Sequence, residues 1–133
     1  MDAALVALVW RRSGNRCEYC HLPQQSAVIP FEIDHVIAEQ HGGRTVAGNL
    51  ALACFACNHH KGPNLAGIDP QTGKRAWLFD PRHHSWRRHF RWAGPVLIGR
   101  TPMGRTTVAV LAINRPQRVA QRAALFAEGV FSG

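Results

Sequence analysis

Residues 3–10 (AALVALVW) are continuously apolar, with Asp2 before them and Arg11, Arg12 and Gly14 after. An acidic N-cap, basic residues at the negative end of the helix dipole and a glycine stop predict a helix over residues 2–13. Residues 27–37 (AVIPFEIDHVI) are β-prone and alternate roughly, and Pro30 confines their early part to an edge or a bulge. Gly42-Gly43 marks a loop, Thr45 to Asn49 reads as a turn, and the short apolar run 50–53 (LALA) predicts a second strand. A short helix over 55–61 follows, ended by Gly62-Pro63.

The rest of the pattern is less regular. Residues 63–73 hold two prolines and two glycines, with a turn from Asp69 to Gly73, and read as a seam. Residues 76–79 (AWLF) fit a strand, and 88–99 a hairpin about Gly94-Pro95. Thr101-Pro102 is a cap followed by an N1 proline, so 102–113 is predicted helical, against the β-branched run from Thr106 to Val110. Asn114-Arg115-Pro116 starts a final helix to about Glu128, closed by Gly129.

At 133 residues the chain is the length of one domain with a modest core, and the expectation is a single domain over 1–133. The first apolar run lacks a preceding basic region and a small-residue cleavage site, and is too short to span a bilayer, so the expected location is the cytoplasm, with no membrane partner. The thiols of a cytoplasmic protein stay reduced. Two C-x-x-C pairs, Cys17/Cys20 and Cys54/Cys57, separated by 33 residues, therefore point to metal before disulfides. Each tight turn brings two thiolates to one ion, and two turns complete the tetrahedral sulfur set that structural zinc prefers. His21 is a rival ligand if one thiolate fails.

Charge divides the chain. Residues 1–61 carry five basic and five acidic side chains, whereas residues 62–133 carry eleven basic and three acidic. A neutral half beside a basic half suggests a polyanionic partner. In 82–92 (RHHSWRRHFRW) arginines interleave with Trp86, Phe90 and Trp92. The two-residue spacing of Phe90 and Trp92 favours inward packing, which leaves Arg87, Arg88 and Arg91 as phosphate contacts. Arg115, Arg118 and Arg122 share one face of the last helix. Nothing resembles a base-reading motif, so low sequence specificity is expected.

The segment from Glu32 to Gly62 reads EIDHVIAEQHGGRTVAGNLALACFACNHHKG. It resembles the HNH endonuclease family: a strand ending in Asp34-His35, a Gly-Gly loop, an Asn49-Leu50 pair, a short apolar strand, then C-x-x-C-N-x-x-K-G. With Cys17 and Cys20 the likeness covers about residues 15–63. It implies an α+β fold, a ββα-metal (His-Me finger) core stapled by a four-cysteine zinc, with the N-terminal helix before it and a basic hairpin-plus-helix extension over about 74–128. It further implies a metal-dependent nuclease acting on DNA, RNA remaining open. In that family pattern His35 is the general base, and Asp34 and Asn58 hold a catalytic Mg²⁺ or Mn²⁺, hard ions suited to oxygen ligands. Asn49 braces the loop and orients the base. The position that names the family's last histidine is Asn58 here, an H-N-N variant, with His59 and His60 as alternatives. His41 reads as solvent-exposed. Lys61 reads as a helix C-terminal charge or a phosphate contact, and belongs with Arg87, Arg88, Arg91, Arg118 and Arg122 in the expected nucleic-acid-binding set. Two other readings stay open: a non-catalytic zinc-stapled nucleic-acid-binding module, and a zinc-stapled protein–protein adaptor. Oligomeric state is not legible.

Overall fold

The computed structural model describes residues 1–131. Helix α1 spans Ala3–Ser13; the Asp2 carboxylate accepts from Ala4 N, and Gly14 closes it in the left-handed conformation. The first cysteine knuckle follows. Strands β1 (Glu32–His35) and β2 (Leu50–Ala53) pair antiparallel, Asp34 opposite Ala51 and His35 opposite Leu50. Helix α2 (Phe55–Lys61) leaves β2 through Cys54 and completes a ββα unit.

The chain then forms two more antiparallel ribbons, β3 (Ala66–Ile68) with β4 (Arg75–Trp77) and β5 (Phe90–Ala93) with β6 (Val96–Gly99). A single helical turn, α3 (Trp86–His89), precedes β5. Helices α4 (Pro102–Val110) and α5 (Pro116–Ala127) end the described chain. Among the described residues no helix is long and apolar enough to cross a membrane.

The mixed α and β composition matches the expected class, and several elements differ instructively. The strand expected over 27–37 shrinks to Glu32–His35, because the Gln24 side chain binds both Ile29 O and Phe31 N and holds the preceding stretch as a loop. The seam 63–73 hides a strand: β3 pairs with β4 around the expected Asp69–Gly73 turn. The strand expected over 76–79 is accordingly β4 at Arg75–Trp77. The helix after Thr101-Pro102 does form, capped by Thr101 Oγ1 on Gly104 N. It tolerates its β-branched residues because Thr106 and Thr107 are buried, and Thr107 Oγ1 accepts from Phe79 N while donating to Met103 O. It stops at Val110, and Ala112 takes a positive φ of 51°. Gly104 has no room for a side chain: a Cβ there would lie 2.0 Å from His89 O, so α4 packs directly on the α3 backbone.

One buried core joins both halves. Leu50, Leu52 and Val9 from the first part meet Phe79, Phe90, Leu97, Leu111 and Ile113 from the second. The β3–β4 ribbon is tied to α4 by a bidentate pair: Arg105 Nε and Nη2 donate to the two Asp69 oxygens at 3.0 and 2.9 Å. Those bonds, with Gln71 N and Thr72 Oγ1, hold the Asp69 carboxyl down at about 2, from its ordinary 3.8. A depressed carboxyl stabilises the fold above its unfolded value and loses that contribution as pH falls through the folded one. Asp69→Asn should therefore lower the unfolding midpoint near neutral pH, and its gap from wild type should narrow between about pH 4 and pH 2 in denaturant titrations.

Candidate active site and metal centre

The two knuckles meet. Cys17, Cys20, Cys54 and Cys57 are buried, are not disulfide-bonded, and place their Sγ atoms within 4.8 Å of one another. Each turn is shaped by its own sulfur: Cys17 Sγ accepts from Cys20 N at 3.5 Å, and Cys54 Sγ from Cys57 N at 3.4 Å. Cys20 and Cys54 sulfurs lie 3.7 Å apart. Bonds of about 2.3 Å to a tetrahedral ion put sulfurs about 3.8 Å apart, so the set fits zinc. His21 is not a ligand; its ring stacks on Trp86 at 4.0 Å. Burial pushes the Cys17 and Cys57 thiols well up, while hydrogen bonds from neighbouring cysteines pull Cys20 and Cys54 down. Four thiolates gathered in one buried cluster repel one another unless a cation stands among them.

Arg118 supplies part of the compensating charge. Its Nη2 lies 3.0 Å from Cys57 Sγ and 3.8 Å from Cys54 Sγ, and its Nη1 donates to Leu111 O and Ala112 O. Burial alone would lower the Arg118 pKa, and the thiolates outweigh it, so the guanidinium stays charged. Arg122 is 2% exposed and donates to Pro95 O and Ile113 O beneath the Trp92 ring. Expected as phosphate contacts, both α5 arginines instead point inward; they bind sulfur and backbone carbonyls.

Asp34 and His35 occupy consecutive positions of β1 and point in opposite directions. Asp34 is buried: Oδ2 accepts from Tyr19 Oη at 2.9 Å and lies 3.1 Å from Lys61 Nζ. Burial raises its pKa, against the pull of Lys61, Tyr19 and His35. Lys61 itself is 1% exposed and also donates to Val36 O at 3.1 Å. The expected phosphate contact at Lys61 is thus corrected: its ammonium is the counter-ion of Asp34 and a clamp on the end of β1.

His35 faces outward, with Nε2 2.9 Å from Thr45 Oγ1. Asn49 Oδ1 accepts from Ile37 N, and its Nδ2 donates to Ile37 O and Arg44 O. One amide thus ties the segment just after His35 to the one just before Thr45. The Gly-Gly loop is required here: Gly42 has φ of 89°, and a Cβ on Gly43 would lie 1.7 Å from Ile37 O. Asp34, His35 and Asn58 together line one open depression, closed by Glu39, Gly62 and Pro63. His59 and His60 lie outside it; His59 stacks on Phe55, and His60 feels Arg115 and Arg118.

Sequence reasoning missed Glu32, whose Oε2 accepts from Asn58 Nδ2 at 2.6 Å. Its position, two residues before Asp34 on the same strand, was the available signal. That bond turns the amide so that Asn58 Oδ1 is left for another partner. Arg87, Arg88 and Arg91 are exposed, while Phe90 is buried and Trp86 and Trp92 pack on the core, Trp86 donating to Tyr19 O.

Removing one member of a buried ion pair strands the other, at a cost of about 3–5 kcal/mol. Lys61→Met should therefore destabilise the protein by about that amount, read from urea denaturation with zinc present. Arg118→Met should weaken zinc retention about 10–100-fold, the usual effect of losing a hydrogen bond to a ligand, measured by competition with a chromogenic chelator.

Neither the curated proteins nor the solved structures yield a match to this chain. Residues 17–64 do match the model of the HNH endonuclease family, so that this stretch, with all four cysteines inside it, is an HNH endonuclease domain.

Proposed function

We propose that the protein is a metal-dependent endonuclease that hydrolyses phosphodiester bonds of DNA with low sequence specificity. The observation that carries the reading is that Asp34, His35 and Asn58, from two different elements, all line one solvent-open depression. In this reading the whole chain works as one cytoplasmic unit: a zinc-stapled core on a basic extension.

The chemistry follows from the side chains. When Nε2–H donates to Thr45 Oγ1, Nδ1 of His35 carries the free lone pair. A neutral imidazole held that way takes a proton from an attacking water near neutral pH. The Asn49 amide keeps the loop from drifting, so the imidazole does not have to be reoriented at each turnover. Asp34 and Asn58 Oδ1 would hold the catalytic Mg²⁺ or Mn²⁺, which when bound neutralises the phosphate and stabilises the leaving 3′ oxygen. Tyr19 and Lys61 already take up part of the Asp34 carboxylate, which has room for about four such partners. They hold it still, with Oδ1 and Oδ2 differently engaged. Glu32 positions Asn58 by taking its N–H. The four-cysteine site takes no part in the reaction, since four sulfurs leave no position for water. Phosphate contacts come from Arg87, Arg88 and Arg91.

A non-catalytic zinc-stapled nucleic-acid-binding module is the second reading, favoured by one feature: the Asp34 carboxylate is satisfied by Lys61 without any ion. A nicking assay on supercoiled plasmid across Mg²⁺, Mn²⁺ and Ni²⁺ separates the two. The endonuclease nicks with the hard ions, and His35→Ala abolishes nicking while circular dichroism and zinc content stay as in wild type. Undiminished nicking by that variant removes His35 from the mechanism, and retention of plasmid without any nicking leaves the binding module.

A further inference from the structure

The β3–β4 ribbon lies outside the family match and has a solvent face of unusual composition. On β4, Arg75 and Trp77 are exposed and Ala76 turns inward. Ile68, opposite Arg75 across the ribbon, is 57% exposed, and Trp77 is 67% exposed. The other tryptophans have partners within the fold: Trp10 lies against Phe31, Trp86 against His21, and Trp92 against Phe131. Trp77 has no aromatic partner among the described residues. Lys74 and Arg75 beside it carry no ion pair there either.

Trp77 forms a wall of a mainly apolar cavity with Val36, Ile37, Leu65 and Phe79, edged by Asn64, Asp80 and His84. His84 Nδ1 accepts from Asp80 N, so its proton sits on Nε2, a donor at that edge. The cavity adjoins the catalytic depression through one short segment. His35 and Ala38 line the depression, Val36 and Ile37 line the cavity, and Lys61 Nζ fixes the His35 and Val36 carbonyls between them.

We infer that this cavity receives a nucleobase of the polynucleotide being cut, stacked on Trp77, with Arg75 on the adjoining phosphate. The inference takes its substrate class from the endonuclease reading. Charge complementarity selects this occupant: Arg75, on the exposed face of β4 with Trp77, and Lys74 next to it have no ion pair among the described residues, and the one carboxylate of the lining, Asp80, is taken up by Arg82 N and His83. A mainly apolar cavity with an indole wall suits a planar ring, and cation-plus-aromatic pairs are the usual means of gripping unpaired strands without reading sequence. A base can enter only if unstacked, so single-stranded or locally opened DNA is the preferred form.

The test uses full-length, zinc-loaded His35→Ala protein, which binds without cutting. Its affinity is measured for an oligothymidylate and for an abasic oligonucleotide of equal length and charge, with intrinsic tryptophan fluorescence as a second readout. The parent should prefer the base-bearing strand and show quenching. Trp77→Ala should weaken that strand about tenfold and bring the two ligands level, while Trp77→Phe, which keeps a ring, should retain the preference. Arg75→Ala should weaken both ligands alike and flatten the salt dependence. An unchanged preference in Trp77→Ala overturns the inference, as does a parent that never distinguishes the two strands, the result expected if the cavity serves a protein ligand. Cleavage by protein with His35 intact is scored separately. A chain that does not cut but shows the Trp77-dependent preference loses the endonuclease reading and keeps the base site. A chain that cuts equally well without Trp77 keeps the first and loses the second.

Discussion

Four sulfurs within 4.8 Å of one another in a buried site impose the closure on which the remaining structure depends. The knuckles are separated by the whole β1–β2 unit, so bringing them together fixes where that unit begins and ends. The first knuckle is also stitched to β2 directly, since Glu18 N donates to Leu52 O while the Glu18 carboxylate accepts from Leu52 N. Cys54 then serves twice, as a member of the cluster and as the N-cap of α2. A chain of this size has little core to spare, and an ion on four thiolates contributes folding free energy that apolar burial alone would not supply. Arg118 extends the dependence to α5, so the last helix is docked by charge on the cluster as well as by packing.

Given that closure, the two residues at the end of β1 divide their work by strand geometry. Alternation sends Asp34 inward and His35 outward. An ionised carboxylate taken out of water costs several kcal/mol unless it is paired and hydrogen-bonded. Lys61 and Tyr19 meet that condition. This is a physical reason for a lysine at the end of α2: it reaches back under β1, neutralises Asp34 and ties the carbonyls of His35 and Val36. The base therefore stands on a strand end locked from below by an ion pair and from the side by the Asn49 amide.

Much of this was legible because its signals are local. The α1 cap and stop, the LALA strand, α2 and the C-x-x-C turns follow from neighbouring residues, and the ordered motif from Glu32 to Gly62 carried Asp34, His35 and Asn58 into one depression, with Asn49 on the loop behind it. What escaped was nonlocal. Nothing near Lys61 says that its ammonium turns inward, because its partner lies 27 residues earlier. Arg118 and Arg122 share a helical face, as periodicity requires, yet periodicity does not say whether that face meets phosphate or sulfur. Strand β3 is three residues with a central glycine, too short and too weak a pattern to read before its partner is in place.

Net charge, then, is not a map of the binding surface. Arg105, Arg118 and Arg122 are spent on Asp69, on the cysteine cluster and on backbone carbonyls, and Lys61 on Asp34. Subtracting them, and Arg82, which is held by Glu18, leaves Arg87, Arg88 and Arg91 on α3 and β5, Lys74 and Arg75 on the β3–β4 ribbon, and Arg100 and Arg115 just before α4 and α5, as the cations turned to solvent in the basic half. The aromatics sort the same way, with Trp86, Phe90 and Trp92 inside and Trp77 outside. The basic, tryptophan-rich segment from 82 to 92 thus divides as its two-residue spacing implies, aromatics toward the core and arginines toward solvent, while the exposed indole stands on β4, outside that segment.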